Sequence, residues 1–281
     1  MTDLSLLASL LPRSQRMPVL FVGHGSPMNV ITANPWRQTW EQMGVRLLAH
    51  EHRPSLILCI SAHWITHGWH VTAMASPRTI HDFGGFPQAL FDQQYPAPGA
   101  PEQARAIAEL LEQPGYGGPL GQDEDDWGLD HGAWSVLKPM FPAADIPVIQ
   151  LSLDYQRPPA EHLALGRQLA QLRDHGVLIV GSGNIVHNLR TMRRDVPDDQ
   201  AYDWALAFDQ HVRDQISAGR QTDLADFQSL GEMARLAHPS WDHYLPLLHC
   251  AGAVGEGDAP QFFNEGFQAA SISMRSVIWS E

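Results

Sequence analysis

Histidines make up 15 of the 281 residues, and five stand where an imidazole can meet a ligand. His24 lies in GHGSP, directly after the apolar run Pro18 to Val22, and Gly23 and Gly25 on either side let the backbone turn tightly there. His63 lies in SAHW and His187 in GSGNIVHNL, each at or just past an apolar run. His131 in LDHGAW follows a Gly-containing acidic turn, and His243 in HPSWDHYLP has Asp242 beside it. A neutral imidazole is a metal ligand, and its proton exchange near neutral pH suits it to general acid/base work. The pattern therefore admits a metal centre, a proton-transfer site, or both.

The elements that must position these residues can be read from the hydropathy pattern. Besides residues 18–22, short runs rich in β-branched and apolar side chains at 55–62, 69–75, 146–153, 177–183 and 271–279 predict strands. Between them, residues 35–50, 101–113, 159–174, 199–218 and 241–252 carry helical periodicity, several with Pro near the start. LSLLASLL near the N-terminus predicts a short amphipathic helix rather than a signal peptide, because an Asp and no basic residue precedes it. Alternating strands and helices predict an α/β fold, a largely parallel or mixed central sheet flanked by helices. No repeat or low-complexity linker divides the chain. Residues 1–16 are thus an N-terminal extension and 17–281 one domain. His24, His63 and His187 fall at carboxyl ends of strands, the edge where open α/β sheets bind ligands. The segment from His81 to Gly99, HDFGGFPQALFDQQYPAPG, predicts a long functional loop.

Composition narrows the partners. A net charge of −13 with only 18 Lys and Arg argues against nucleic acid and anionic membranes, whose affinity comes from clustered cations. No apolar run approaches the roughly 18 to 20 residues of a membrane span. Cys59 and Cys250 have no metal-type spacing and are expected as reduced core thiols of a cytoplasmic protein. HWITH, from His63 to His67, lacks the Glu of the helical zinc motif and sits in a β-branched context, GSGNIV lacks the third dinucleotide-fold Gly, and GHGSP does not fit the serine nucleophile elbow. The acidic run QDEDDWGLD lacks the Gly and terminal Glu of a calcium loop and predicts a solvated turn.

Taken in order, GHGSPMNVI, SAHW, HDFGGFPQALFDQQYPAPG, GLDHGAWSVL, SGNIVHNLR and HYLPLL resemble the DOPA 4,5-dioxygenase type of class III extradiol ring-cleaving dioxygenases, the LigB-like superfamily, over residues 17 to about 279. The resemblance implies a metal site at the strand ends formed by His24, His63 and His243, with His187 as a fourth metal-proximal residue and His131 as a further active-site histidine. More distant members supply a Glu as third ligand where this sequence has His243.

Coordination arithmetic refines that expectation. An octahedral Fe(II) that chelates a catechol through two oxygens and leaves room for dioxygen has three positions for protein ligands. One of four histidines must then act outside the coordination sphere, and His187 is assigned as the acid/base group, with His131 assisting. His81, Phe83 and Tyr95 in the long loop are expected to cover the aromatic ring. Three neutral imidazoles also suit tetrahedral Zn(II), which is redox-silent, so the protein is expected to carry one divalent metal, Fe(II) for ring cleavage or Zn(II) as isolated. The expected activity is cleavage of a small catechol by O2 in a monomer or small homo-oligomer. A zinc hydrolase on the same histidines and a non-catalytic binding protein of the superfamily are the alternatives.

Overall fold

The computed structural model describes residues 4–49, 53–198 and 200–281. Residues 1–3 of the predicted extension, position 50 of the predicted helix 35–50 and position 199 of the predicted helix 199–218 lie outside the described residues. Ten strands and nine α-helices are described: β1 (Val19–Gly23), β2 (Leu56–Ile65), β3 (His70–Thr72), β4 (Gly121–Asp123), β5 (Val148–Leu153), β6 (Val177–Gly183), β7 (Ala259–Phe263), β8 (Phe267–Gln268), β9 (Ile272–Ser273) and β10 (Ser276–Ser280), with α1 (Leu4–Leu10), α2 (Pro35–Leu48), α3 (Gln88–Phe91), α4 (Pro101–Leu110), α5 (His131–Met140), α6 (Pro159–Leu169), α7 (Asp203–Ser217), α8 (Glu232–Ala237) and α9 (Leu245–Ala253).

Eight strands form one sheet in the order β4-β3-β5-β2-β6-β1-β10-β7. The central four, β5, β2, β6 and β1, run parallel, while β3 pairs antiparallel with β5 and β10 antiparallel with both β1 and β7. The mixed α/β sheet matches the expectation. The central strands are apolar on both faces because helices cover both. Val19 and Phe21 of β1 pack with Leu165 of α6 and Leu247 of α9, whereas Leu20 and Val22 pack with Trp40 of α2 and Trp134 of α5. α1 belongs to this core as well, since Leu7 and Leu11 are buried in the same cluster as Phe21.

Several boundaries differ from the pattern reading, each for a physical reason. The run 271–279 splits into β9 and β10, because Met274 and Arg275 between them belong to neither. The helix read at 159–174 tightens into a 3-10 helix over Ala170–His175 and stops at Gly176, whose φ of 73° reverses the chain into β6. α5 was not expected at all. Asp130 caps it by accepting the Ala133 amide, but Pro139 inside the last turn and a nearly all-apolar surface hide its period.

The contact between α6 and α9 is built on paired glycines. A Cβ on Gly166 of α6 would lie 2.3 Å from the His249 carbonyl, and one on Gly252 of α9 would lie 2.3 Å from the Leu163 carbonyl. Backbone rather than a movable side chain fills each space. Gly252→Ala should therefore force α6 and α9 apart and destabilise the fold by about 1–3 kcal/mol, read as a lower urea midpoint with an unchanged slope; an unchanged midpoint would contradict the contact.

Candidate metal centre

Two strands and one helix approach deliver three imidazoles to one place. His24 is the first residue past β1, and its amide extends the β1–β6 ladder by donating to the Gly183 carbonyl at 3.0 Å. His63 lies inside β2, beyond Ile60, where the pairing with β5 changes register before Ile65. Such an irregularity re-aims side chains. His243 approaches from the segment before α9, and its carbonyl accepts the Asn184 amide at 2.9 Å just past β6. Gly183 makes that approach possible: a Cβ there would lie 2.2 Å from the His243 carbonyl oxygen.

One ligand nitrogen from each of His24, His63 and His243 lies within 4.8 Å of the others, with Nε2 of His24 and Nε2 of His63 3.4 Å apart. Hydrogen bonds on the far side of two rings fix which nitrogen carries the proton. Ser182 Oγ spends its single proton on the Gly132 carbonyl at 2.5 Å, so at 3.0 Å from His24 Nδ1 it must accept, leaving His24 Nε2 with a lone pair. The Asp242 carboxylate, 2.5 Å from His243 Nδ1, accepts only, which does the same for His243. Burial, reinforced by the neighbouring histidines, pushes His24 and His243 well below the usual imidazole value, and it takes His63 down to about 4 despite the nearby carboxylates of Asp130 and Asp82. These are neutral nitrogen donors. Converging lone pairs repel unless a cation sits among them, and a divalent metal of the zinc or iron type fits this donor set.

His187 takes a different place. Its ring stacks face to face on His243, centroids 3.5 Å apart and planes 5° from parallel, and its amide donates to the Ala237 carbonyl. It is not among the three imidazoles whose nitrogens converge. Burial holds it at about 3 even though Asp242 pulls the other way. His131 opens α5 with its ring centroid 3.9 Å from that of His63. Asp82 links the two: its Oδ2 is 3.3 Å from His63 Nδ1, and its Oδ1 is 2.9 Å from His131 Nδ1 while accepting the His131 amide. Burial alone would raise the Asp82 carboxyl, but the His131 and His63 rings bring it down to about 2.

Of the three loop residues expected to cover a substrate ring, Phe83 touches the site, edge-on to His131 at 5.5 Å. His81 instead braces the loop internally, its Nε2 bonded to the Gln93 carbonyl and its ring against Phe83 and Trp134. Tyr95 corrects the expectation: it is 1% exposed, its hydroxyl donates to the Phe141 carbonyl, and it packs in the core beneath α5. A tyrosine flanked by Pro and Gln in a Gly/Pro-rich loop carries no sequence signal that distinguishes an anchor from a lid.

A family model described as the catalytic LigB subunit of aromatic ring-opening dioxygenase matches residues 18–277. The chain belongs to the LigB family. It is 45% identical over 275 residues to the 4,5-DOPA dioxygenase extradiol of Escherichia coli (strain K12), covering 97% of this chain and 98% of that protein. It is 35% identical to the 4,5-DOPA dioxygenase extradiol of Beta vulgaris, covering 91% and 94%. A crystal structure of an uncharacterized Escherichia coli K12 protein superposes with a TM-score of 0.79 at 40% identity, covering 94% of this chain and all of that one. As a LigB-family protein it is an aromatic ring-opening dioxygenase, and its buried His/Asp cluster can hold one metal.

The sequence reading missed three residues of this LigB-family centre. Ser182 and Asp82 hold the imidazoles from behind, and Asp130, fully buried, accepts from Ser61 Oγ at 2.6 Å and Gln150 Nε2 at 2.8 Å under the His63 strand. Asp82 carried a signal, since it lies in the HDFGGFP block, but its neighbour His81 drew the assignment.

The buried imidazoles set an acid limit. His63, His162 and His238 each titrate near 4 in the fold, chiefly because of burial, against 6.5 when unfolded. Above pH 6.5 neither state binds the proton and stability is unaffected. Below it the unfolded chain takes up protons that the fold refuses, so each ring removes about 1 kcal/mol per pH unit until the folded value is reached near pH 4. Denaturant unfolding of the metal-free protein should thus weaken steeply between pH 6.5 and 4; a flat profile would contradict neutral burial.

Proposed function

We propose that this protein is an extradiol dioxygenase that opens the ring of a small catechol bearing a short side chain, a DOPA-like compound or a dihydroxyphenyl acid. The single observation that carries the reading is the convergence of three neutral imidazoles, His24, His63 and His243, beside two further histidines that can carry protons. A divalent metal held by those three rings supplies, as Fe(II), a chelation point for the catechol oxygens and the electrons that dioxygen requires.

The remaining chemistry belongs to the chain. His187 accepts the second catechol proton and returns it to the ring-opened product, and His131 hydrogen-bonds the hydroxyl as negative charge develops there. Burial supports this division. Burial keeps this ring neutral at working pH, with a lone pair able to accept a proton. Phe83, edge-on to His131, gives the substrate ring an apolar wall, and His81 keeps the loop that carries it folded. The two buried free thiols support a reducing, cytoplasmic setting.

Anaerobic loading with Fe(II), followed by oxygen uptake over a set of catechols, tests the reading. One dioxygen should be consumed per catechol, with a yellow ring-opened semialdehyde as product. Hydrolysis of esters or amides under Zn(II) with no oxygen uptake under Fe(II) would replace it with a hydrolase.

A pair of variants separates ligand from proton carrier. His187→Gln keeps a hydrogen-bonding group but cannot exchange a proton near neutral pH, so it should retain iron and catechol binding while turnover falls roughly 10²- to 10⁴-fold. His243→Gln should lose iron along with activity. Iron loss in the first variant and retention in the second would reverse the assignment.

A further inference from the structure

The proton on His63 has two seats, and the structure puts a different neighbour at each. Nδ1 faces Asp82 Oδ2 at 3.3 Å, and Nε2 faces His24 Nε2 at 3.4 Å. Because Ser182 commits the His24 proton to Nδ1, His24 Nε2 is an open acceptor. Without a metal, His63 can satisfy it by moving its own proton to Nε2. That tautomer joins the two rings by a hydrogen bond and removes the lone pair that a metal needs. His24 and His243 have no such choice.

We infer that Asp82 is a positioning residue that fixes the His63 tautomer, holding the ring proton on Nδ1 so that Nε2 stays open toward the metal. The inference rests on the reading of His24, His63 and His243 as ligands. An ionised carboxylate accepts hydrogen bonds and donates none, so its charge 3.3 Å from Nδ1 favours a proton there over the neutral bond on offer from His24 at Nε2. Geometry also fixes which oxygen does the work. Oδ1 is occupied by the His131 amide at 2.9 Å, leaving Oδ2 for His63. Asp82 thereby ties His63 to the first turn of α5, where His131 sits 3.9 Å from it, centroid to centroid. Its backbone borders solvent, but its side chain is 19% exposed and turns toward the two rings.

The distinguishing consequence lies in the isosteric amide. In Asp82→Asn the amide oxygen stays on the His131 amide, and the NH2 group replaces Oδ2 opposite His63. A donor there requires a lone pair on Nδ1 and drives the proton to Nε2, where His24 accepts it. Asp82→Ala removes the carboxylate without adding a donor, which leaves only the weaker pull of the His24 acceptor on the ring proton. A residue that merely fills space gives the opposite order, with Asn close to wild type and Ala worse.

The test is zinc affinity of the full-length protein by competition with a chelating dye at neutral pH, together with histidine ring ¹⁵N shifts of the metal-free protein. Asp82→Asn should bind Zn(II) roughly 10- to 100-fold more weakly than wild type, with Asp82→Ala between the two, and His63 should change from the Nδ1–H to the Nε2–H tautomer completely in the Asn variant and partly in the Ala variant. Asn binding as tightly as wild type, or more tightly than Ala, would overturn the inference. Should either variant fail to fold by circular dichroism, the wild-type shifts decide: Nδ1–H on His63 supports the assignment and Nε2–H refutes it. Wild type that takes up no zinc would refute the ligand reading itself, while the ring shifts would still decide whether Asp82 sets the His63 tautomer.

Discussion

Three imidazoles buried together must stay neutral and turn the same nitrogen inward, and the rest of the site follows from that constraint. A buried charged imidazole is penalised by desolvation and by its like neighbours, which is why His24 and His243 are held far below their ordinary value. Neutral rings still need a partner for the N–H they turn outward. The fold supplies a serine hydroxyl from β6 for His24 and the adjacent carboxylate for His243, and it sets the Asp82 carboxylate of the long loop 3.3 Å from His63 Nδ1. Parallel strands make this convergence possible, because β2, β6 and β1 are neighbours that all end at one edge of the sheet.

Charge completes the logic. Three neutral ligands leave a divalent cation uncompensated, and no carboxylate stands among the three converging imidazoles. The negative charge lies one layer out instead. Asp82 and Asp242 sit on the outward nitrogens, and Asp130 is buried below β2, held by Ser61, Gln150, Trp127 and the start of α5 rather than by a cation. Carboxylates so placed raise the basicity of the ligating rings and fix their orientation.

Much of this was legible in the sequence, because strand-end histidines advertise themselves. His24 on its glycine turn, His63 at the end of an apolar run and His187 past another are placed by the two-residue period and the runs around them. What the sequence hid was long-range geometry. His131 reads as a loop residue after an acidic turn, yet Asp130 caps a helix there that Pro139 disguises. The resemblance and the coordination arithmetic already separate His187 from His243, but nothing in the sequence shows that their rings stack in parallel. Tyr95 and Phe83 share one loop and one residue class, but burial sends the first to the core and the second to His131. Ser182 and Asp82 are partners of histidines 158 residues and 19 residues away, contacts that no local pattern encodes.

The central claim is that three imidazoles, and not four, hold the metal. X-ray absorption of the Fe(II)-loaded protein before substrate is added measures this directly through the multiple-scattering signature of coordinated imidazole. The account predicts three imidazole nitrogens, with the remaining positions filled by light oxygen donors. Four coordinated imidazoles would place His187 on the metal and contradict it.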